Sequence, residues 1–251
     1  MTRVIMHGCN GRMGHAIAGL IEEDQDIEIV AGVDAFGESN YSFPVFKSME
    51  ECDVLADVVI DFSNASAVDG LLAACEKKNL PVVLCTTGLS EEQLDNVKRT
   101  SEKIAILKSA NMSVGVNMLM KVLSEISPVL AAAGFDIDIV EKHHNQKLDA
   151  PSGTAIALAD SINASLPEKY DYVFDRSTRR EKRPKNEIGI SAVRGGTIVG
   201  DHDVIFAGMD EVVTISHRAY SRSVFAKGAV EAAKFLAGKS AGMYDMSDVI
   251  K

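Results

Sequence analysis

Residues 141–154 read EKHHNQKLDAPSGT: two adjacent histidines, a lysine and an aspartate, then a Pro-Ser-Gly-Thr turn. A single histidine is more often structural, and a single lysine is ordinarily a solvated surface group. Clustered at the end of an apolar run, they point instead to acid catalysis on an anion. His143 and His144 close a candidate strand, so they face opposite sides and only one readily meets a given substrate. Histidine is the side chain that exchanges protons near neutral pH. Lys147 can pair with an anionic group or protonate a nitrogen. Ser152, Gly153 and Thr154 open a candidate helix, whose first N–H groups favour a carboxylate.

A second constellation lies near the start. HGCNGRMG places Gly8, Gly11 and Gly14 between a strand-like run and a helix-like run. This GxxGxxG spacing is a variant of the dinucleotide fingerprint, in which glycines allow a tight turn and let a pyrophosphate approach backbone N–H groups. Asp34 ends the next apolar run, twenty residues past Gly14, where a carboxylate can accept from the adenosine ribose. Arg12 stands inside the loop as a clamp for pyrophosphate. Ala35 and Phe36 follow Asp34 with no adjacent arginine, so nothing obvious greets a 2′-phosphate and NADH should be used well. Two later strand ends, Cys85–Gly88 (CTTG) and Ser109–Ser113 (SANMS), bring small and hydroxyl residues to the edge where such folds bind ligands; on residue type alone they are ordinary loops.

The elements that must hold these residues follow from periodicity. RVIMH, IEIVAGV, DVVID, PVVLC and KIAILK are short apolar runs separated by stretches with helical spacing, which predicts a doubly wound parallel sheet buried on both faces. After Asn111 the rhythm changes. A long helix precedes FDIDIVEKHH, in which Ile137, Ile139 and Glu141 alternate with Asp136, Asp138 and Val140. A further helix follows the histidine loop, and EIGISAV, DHDVIFAG and EVVTISHRA read as strands. The expectation is an α/β chain with an N-terminal Rossmann-like domain, residues 1–111. Residues 112–222 form an α+β domain with a mixed or antiparallel sheet for substrate binding and oligomerisation, and 223–251 return to the first domain.

Composition bounds the function. The chain has 251 residues, 46% hydrophobic and 25% charged, with a net charge of −10. That balance argues against nucleic acid or an acidic membrane as partner, so any anion is caught locally. Cys9, Cys52, Cys75 and Cys85 have no CxxC spacing, which suits reduced thiols and makes a metal site unexpected. MTRVIMHG lacks the features of a signal peptide and no apolar run looks long enough to span a bilayer, so a cytoplasmic location is expected. The basic stretch RSTRREKRPK, 176–185, reads as a solvated connection and is left out of the site. A non-catalytic nucleotide sensor would not need the His-Lys loop, and a related amino-acid or semialdehyde dehydrogenase would not need the DAPSGT turn.

Taken together and in order, GCNGRMG, DFS, CTTG, SANMSVGVN, EKHHNQKLDAPSGTA, VRGGTIVGDH and GMYDMSDVI closely resemble the 4-hydroxy-tetrahydrodipicolinate reductase (dihydrodipicolinate reductase) family of lysine and diaminopimelate biosynthesis. The resemblance runs from the first strand to the C-terminus. It implies that Gly8, Cys9, Asn10, Gly11, Arg12 and Met13 wrap the pyrophosphate of NADH or NADPH and that Asp34 holds the ribose. Cys85, Thr86 and Thr87, with Ser109, Ala110, Asn111 and Met112, flank the nicotinamide half. It implies His143 as general acid/base, Lys147 as second proton donor, and His144, Ser152, Gly153 and Thr154 as contacts to a cyclic dicarboxylate. Many family members have a further histidine where Gln146 stands, and some an arginine where Ala35 stands; the second departure leaves cofactor preference open. The resemblance also implies a homotetramer assembled through the second domain.

Overall fold

The computed structural model describes residues 1–36 and 41–250. In chain order the elements are β1 (Thr2–His7), α1 (Arg12–Glu22), β2 (Ile27–Val33), β3 (Val45–Phe46), β4 (Val58–Asp61), α2 (Ala65–Lys78), β5 (Val82–Leu84), α3 (Glu91–Ser101) and β6 (Ala105–Leu107). They continue with α4 (Val114–Ala132), β7 (Asp136–His143), α5 (Gly153–Ser165), β8 (Asp171–Val173), β9 (Glu187–Arg194), β10 (Gly200–Ala207) and β11 (Val212–Ala219). The last are α6 (Ser223–Leu236), β12 (Gly242–Tyr244) and α7 (Met246–Val249). The chain divides into two compact units, Met1–Val114 with Arg222–Lys251, and Gly115–Ser221.

In the first unit seven strands are ordered β12-β6-β5-β4-β1-β2-β3, and every pairing is parallel. The strands read as unbroken apolar runs because both faces are covered. Val4, Met6 and Ile60 turn to one side, with Ile17 of α1 and Ala229 and Ala233 of α6. Ile5, Val59 and Ile106 turn to the other, with Leu71 and Leu72 of α2 and Val97 of α3. The winding reverses between β1 and β4, so their carboxyl ends flank the crevice where doubly wound sheets take ligands.

In the second unit five strands are ordered β11-β10-β7-β9-β8. β9 runs parallel to β7 and to β8, while β10 is antiparallel to β7 and β11, so the sheet is mixed. Leu119 and Leu123 of α4 and Leu158, Ala159 and Ile162 of α5 pack on Ile137, Ile139, Ile188, Ile190, Val204 and Phe206. α5 starts at Ser152, whose hydroxyl accepts from the Ala155 N–H, a cap worth about 1 kcal/mol.

Two expectations need revision. β3, β8 and β12 have two or three residues each, and α7 has four, too few for a periodic signal to register. The expectation that nothing is long enough to cross a bilayer also fails for α4, which by length and composition is one such helix. Leu119 and Leu123 seat it on the second sheet, and its turns carry Lys121, Glu125 and Pro128.

Candidate active site

In the first unit the glycine loop is shaped by close approach. Gly8 has φ +81, and a Cβ there would stand 2.6 Å from the Phe62 carbonyl oxygen; one on Gly14 would stand 2.3 Å from the Cys9 carbonyl oxygen. Only glycine lets β1 turn and α1 begin directly against the turn. Asp34 then fastens the loop to the end of β2: its Oδ2 accepts from the Asn10 N–H at 3.0 Å and its Oδ1 from the Phe36 N–H at 3.0 Å. The Asn10 side chain donates to the Phe36 carbonyl at 2.7 Å. Beside these groups lies a cleft of 570 Å³ whose walls include His7, Gly8, Gly11, Asp34, Lys47 and Ser63. Its size suits part of a dinucleotide. Backbone opened by glycine and a carboxylate at the adjoining strand end fit that cofactor's phosphates and ribose.

The other expected cofactor residues divide by where their side chains go. Arg12 is exposed in the first turn of α1, and Met13 leans on the core. Cys9 is 1% exposed, and burial, with Asp34 nearby, pushes its thiol up to about 11; it contributes backbone to the loop, not a reactive group. Cys85 follows β5, its thiol likewise pushed up by burial. The Thr86 hydroxyl donates to Asp61 at 2.6 Å, and Thr87 is exposed. Past β6, Ser109 and Asn111 are half-buried and Ala110 is exposed. The Asn111 Oδ1 accepts from the Ser113 N–H at 2.8 Å. Met112 packs in the core. These two segments stand at neighbouring strand ends and are not among the walls of the cleft.

In the second unit the alternation along β7 puts Ile137, Ile139, Glu141 and His143 on its buried face. Glu141, fully buried, accepts from His143 Nδ1 at 2.5 Å, from both ends of the Arg194 fork at 2.7 and 2.8 Å, and from the Ser152 N–H at 3.0 Å. Burial pushes the Glu141 carboxyl up, but the arginine, the imidazole and the N–H together outweigh it and hold it below the usual range. Burial pushes His143 below its ordinary 6.5, the Glu141 contact pulls it back, and Lys147 and Arg194 oppose that pull. Its net position is low, so at pH 7 the ring is mostly neutral and its protonated form is a readier acid than free imidazole. Gly200 gives the ring room: a Cβ there would stand 3.1 Å from His143 Nε2.

Around this core, Lys147 pairs with Asp149 at 2.8 Å, and its N–H closes a turn onto the His144 carbonyl at 3.1 Å. His144 is half-buried just beyond β7. The Ser152 hydroxyl, besides capping α5, meets His202 Nε2 at 3.1 Å; with Ser152 1% exposed, that side chain positions the turn. Gly153 is exposed and Thr154 half-buried in the first turn of α5. The structure thus places His143 at the end of β7, with Lys147 on the segment that leads from it to the start of α5.

The family model described as "Dihydrodipicolinate reductase, N-terminus" matches residues 2–112, and the one described as "Dihydrodipicolinate reductase, C-terminus" matches residues 115–250. The chain belongs to the dihydrodipicolinate reductase family. A protein named 4-hydroxy-tetrahydrodipicolinate reductase from Caldanaerobacter subterraneus subsp. tengcongensis is 55% identical over 251 residues, covering 100% of this chain and 99% of that one. A protein of the same name from Clostridium tetani is 53% identical, covering 98% and 96%. Among solved structures, the dipicolinate-bound dihydrodipicolinate reductase from Paenisporosarcina sp. TG-14 superposes with a TM-score of 0.80 at 27% identity, with 100% of both chains covered.

Three site residues of this dihydrodipicolinate reductase family member escape a sequence reading. Glu141 had a signal, a carboxylate on the apolar side of β7 two residues before a histidine. Arg194 lies in the VRGGTIVGDH stretch but took no role from it, because only the β7–β9 register sets it beside His143. His202 comes from β10, opposite Glu141. The basic stretch is not simply solvated. Arg176 and Arg179 converge on Glu187, which is 2% exposed, and Arg183 pairs with Asp138 at 2.5 Å while donating to the Ile137 and Glu187 carbonyls at 2.6 and 2.8 Å. These arginines bind the connection to the sheet.

Proposed function

We propose that this chain is an NAD(P)H-dependent 4-hydroxy-tetrahydrodipicolinate reductase, reducing the cyclic dicarboxylate 4-hydroxy-tetrahydrodipicolinate or dihydrodipicolinate to tetrahydrodipicolinate in lysine synthesis through diaminopimelate. The observation that carries it is the His143–Lys147 loop, backed by Glu141 and Arg194 and leading into the α5 N-terminus, in a chain that matches both halves of the family.

Loss of the 4-hydroxyl group as water, on the enzyme or before it, leaves a conjugated imine, and the reduced nicotinamide, when bound, would supply a hydride to its ring carbon. The residues of this chain supply the rest. The glycine loop and Asp34 anchor the dinucleotide in the first unit. In the second, Lys147 exchanges Asp149 for a substrate carboxylate, and the first N–H groups of α5 take up carboxylate charge. His143 delivers the balancing proton, with Glu141 fixing which ring nitrogen faces outward and Arg194 neutralising Glu141 so that the buried carboxylate does not hold the proton back. Lys147 is the second donor, and His144 is a substrate contact.

Asp34 disfavours a 2′-phosphate and favours NADH. Lys47 tempers that preference, since it lines the same cleft one residue past the β3 position paired with Val33. Both cofactors are therefore expected to work, NADH the better. The reading also places the chain in the cytoplasm as a homotetramer. The decisive assay supplies NADH, pyruvate, aspartate semialdehyde and the preceding synthase. NADH oxidation that depends on the synthase supports the reductase; oxidation without it, or none with it, overturns the assignment.

A further inference from the structure

The strand-end pair His7 and Asp61 belongs to none of the groups assigned so far. β1 and β4 are the strands between which the first sheet reverses its winding, and their register sets His7 beside Asp61. Asp61 is fully buried, and four donors converge on it. His7 Nδ1 at 2.7 Å, the Ser63 hydroxyl at 2.7 Å and the Ser63 N–H at 3.2 Å reach Oδ1, and the Thr86 hydroxyl reaches Oδ2 at 2.6 Å. A carboxylate accepts at each of these contacts, so the imidazole presents its Nδ1 proton to Asp61. Nε2 is then left for another partner, and among the described residues it has no hydrogen-bonding one. His7 is 9% exposed and is among the residues that line the cleft, with Gly8, Gly11 and Asp34.

We propose that His7 is a further dinucleotide-binding residue: Nε2 hydrogen-bonds a hydroxyl or phosphate oxygen of the nucleotide, and Asp61, clamped by Ser63 and Thr86, is the positioning residue that fixes which nitrogen faces the cleft. The proposal rests on the dinucleotide reading of that cleft. It also gives Thr86 a role through Asp61. A purely structural peg joining β1, β4 and β5 would need the Nδ1 contact alone, and it would give no reason for a histidine that lines the cleft to keep its other nitrogen without a hydrogen-bonding partner among the described residues.

Calorimetric titration of the full-length protein with NADH, ADP-ribose and AMP, alongside steady-state kinetics and thermal unfolding, separates the two. His7→Ala should weaken NADH and ADP-ribose about tenfold, the size of one hydrogen bond, and raise the NADH KM in step, while the dicarboxylate KM moves less than the NADH KM. Asp61→Asn, which keeps the ring but no longer dictates its tautomer, should weaken NADH by a smaller factor. AMP weakening in step places the contact on the adenosine ribose or its phosphate, whereas AMP unaltered beside weakened ADP-ribose places it further along the nucleotide. Should the alanine variant not fold, His7→Phe fills the space without nitrogen and makes the same comparison. Unaltered NADH and ADP-ribose affinity, with or without a lower unfolding midpoint, overturns the proposal and leaves the peg. A parent protein that binds neither NADH nor NADPH overturns the dinucleotide reading itself and this proposal with it.

Discussion

A buried carboxylate beneath a histidine either steals its proton or steers it, and at Glu141 the balance is set by Arg194. With the guanidinium bidentate on the carboxylate at 2.7 and 2.8 Å, Glu141 orients the His143 ring while the ring stays below its ordinary 6.5. Proton delivery through such a ring should fade as pH rises, and the limb should lie below the ordinary imidazole value because burial holds the His143 ring low. His143→Gln, which keeps volume and a hydrogen bond, should lower kcat by at least about 100-fold, in the range for a general acid, abolish that pH limb, and leave NADH affinity and the unfolding midpoint almost at parent values. Lys147→Ala should likewise reduce turnover steeply. Unaltered turnover and pH profile in His143→Gln would shift attention to His144. At the other site, Asp34→Ala should weaken NADH more than NADPH. Losses of equal size in a binding titration would remove the ribose role from Asp34.

Elements decide how much of this can be read in advance. The β1–α1–β2 unit is legible because its apolar runs, glycines and Asp34 all lie within one stretch of chain, and the second sheet is legible in β7, β9, β10 and β11 because each is eight residues long. β3, with two residues, carries no pattern, although it delivers Lys47 to the cleft. The acid loop is legible as a list of residues but not as a machine: Arg194 and His202 lie 53 and 61 positions from Glu141 and reach it only through strand register. His202 shows what that register does. Burial, and then the nearby His143, pushes its ring down to about 4 from 6.5, so the fold prefers it neutral. Such a depressed pKa gives stability that is complete above pH 6.5 and is lost as pH falls toward 4, up to about 3 kcal/mol. His202→Gln should therefore flatten the decline of the unfolding midpoint between pH 6.5 and 4.5, a window above the ordinary carboxylate range. An unchanged slope would mean that the ring is not kept neutral by the fold.

At the scale of the whole molecule, a net charge of −10 repels both an anionic cofactor and a dicarboxylate, so the proposed reading assigns capture to local groups such as Lys147 and the start of α5 rather than to a broad basic field. The same scale bears on assembly. The second sheet carries its helices on the side of Ile137, Ile139, Val204 and Phe206. Its other side presents ion pairs and hydrogen bonds, Lys142 to Asp203 and Ser216 to Asp203, both at 2.6 Å, interleaved with apolar groups. Val193 and Val212 there are 45% and 62% exposed, and Met209 and Tyr220 beyond the strand ends are 91% and 89% exposed. β11 is an edge strand, and a long edge beside exposed apolar residues is a surface that a soluble protein normally covers. Closed symmetric assembly covers it with a second copy of itself, and the expected product is a homotetramer. Light scattering across micromolar concentrations should give four times the chain mass. Val212→Asp, which places a charge on this face without touching the His143 loop, should shift the mass toward smaller species while the unfolding transition stays cooperative. The mass of a single chain throughout that range in the parent protein would reject assembly through this sheet.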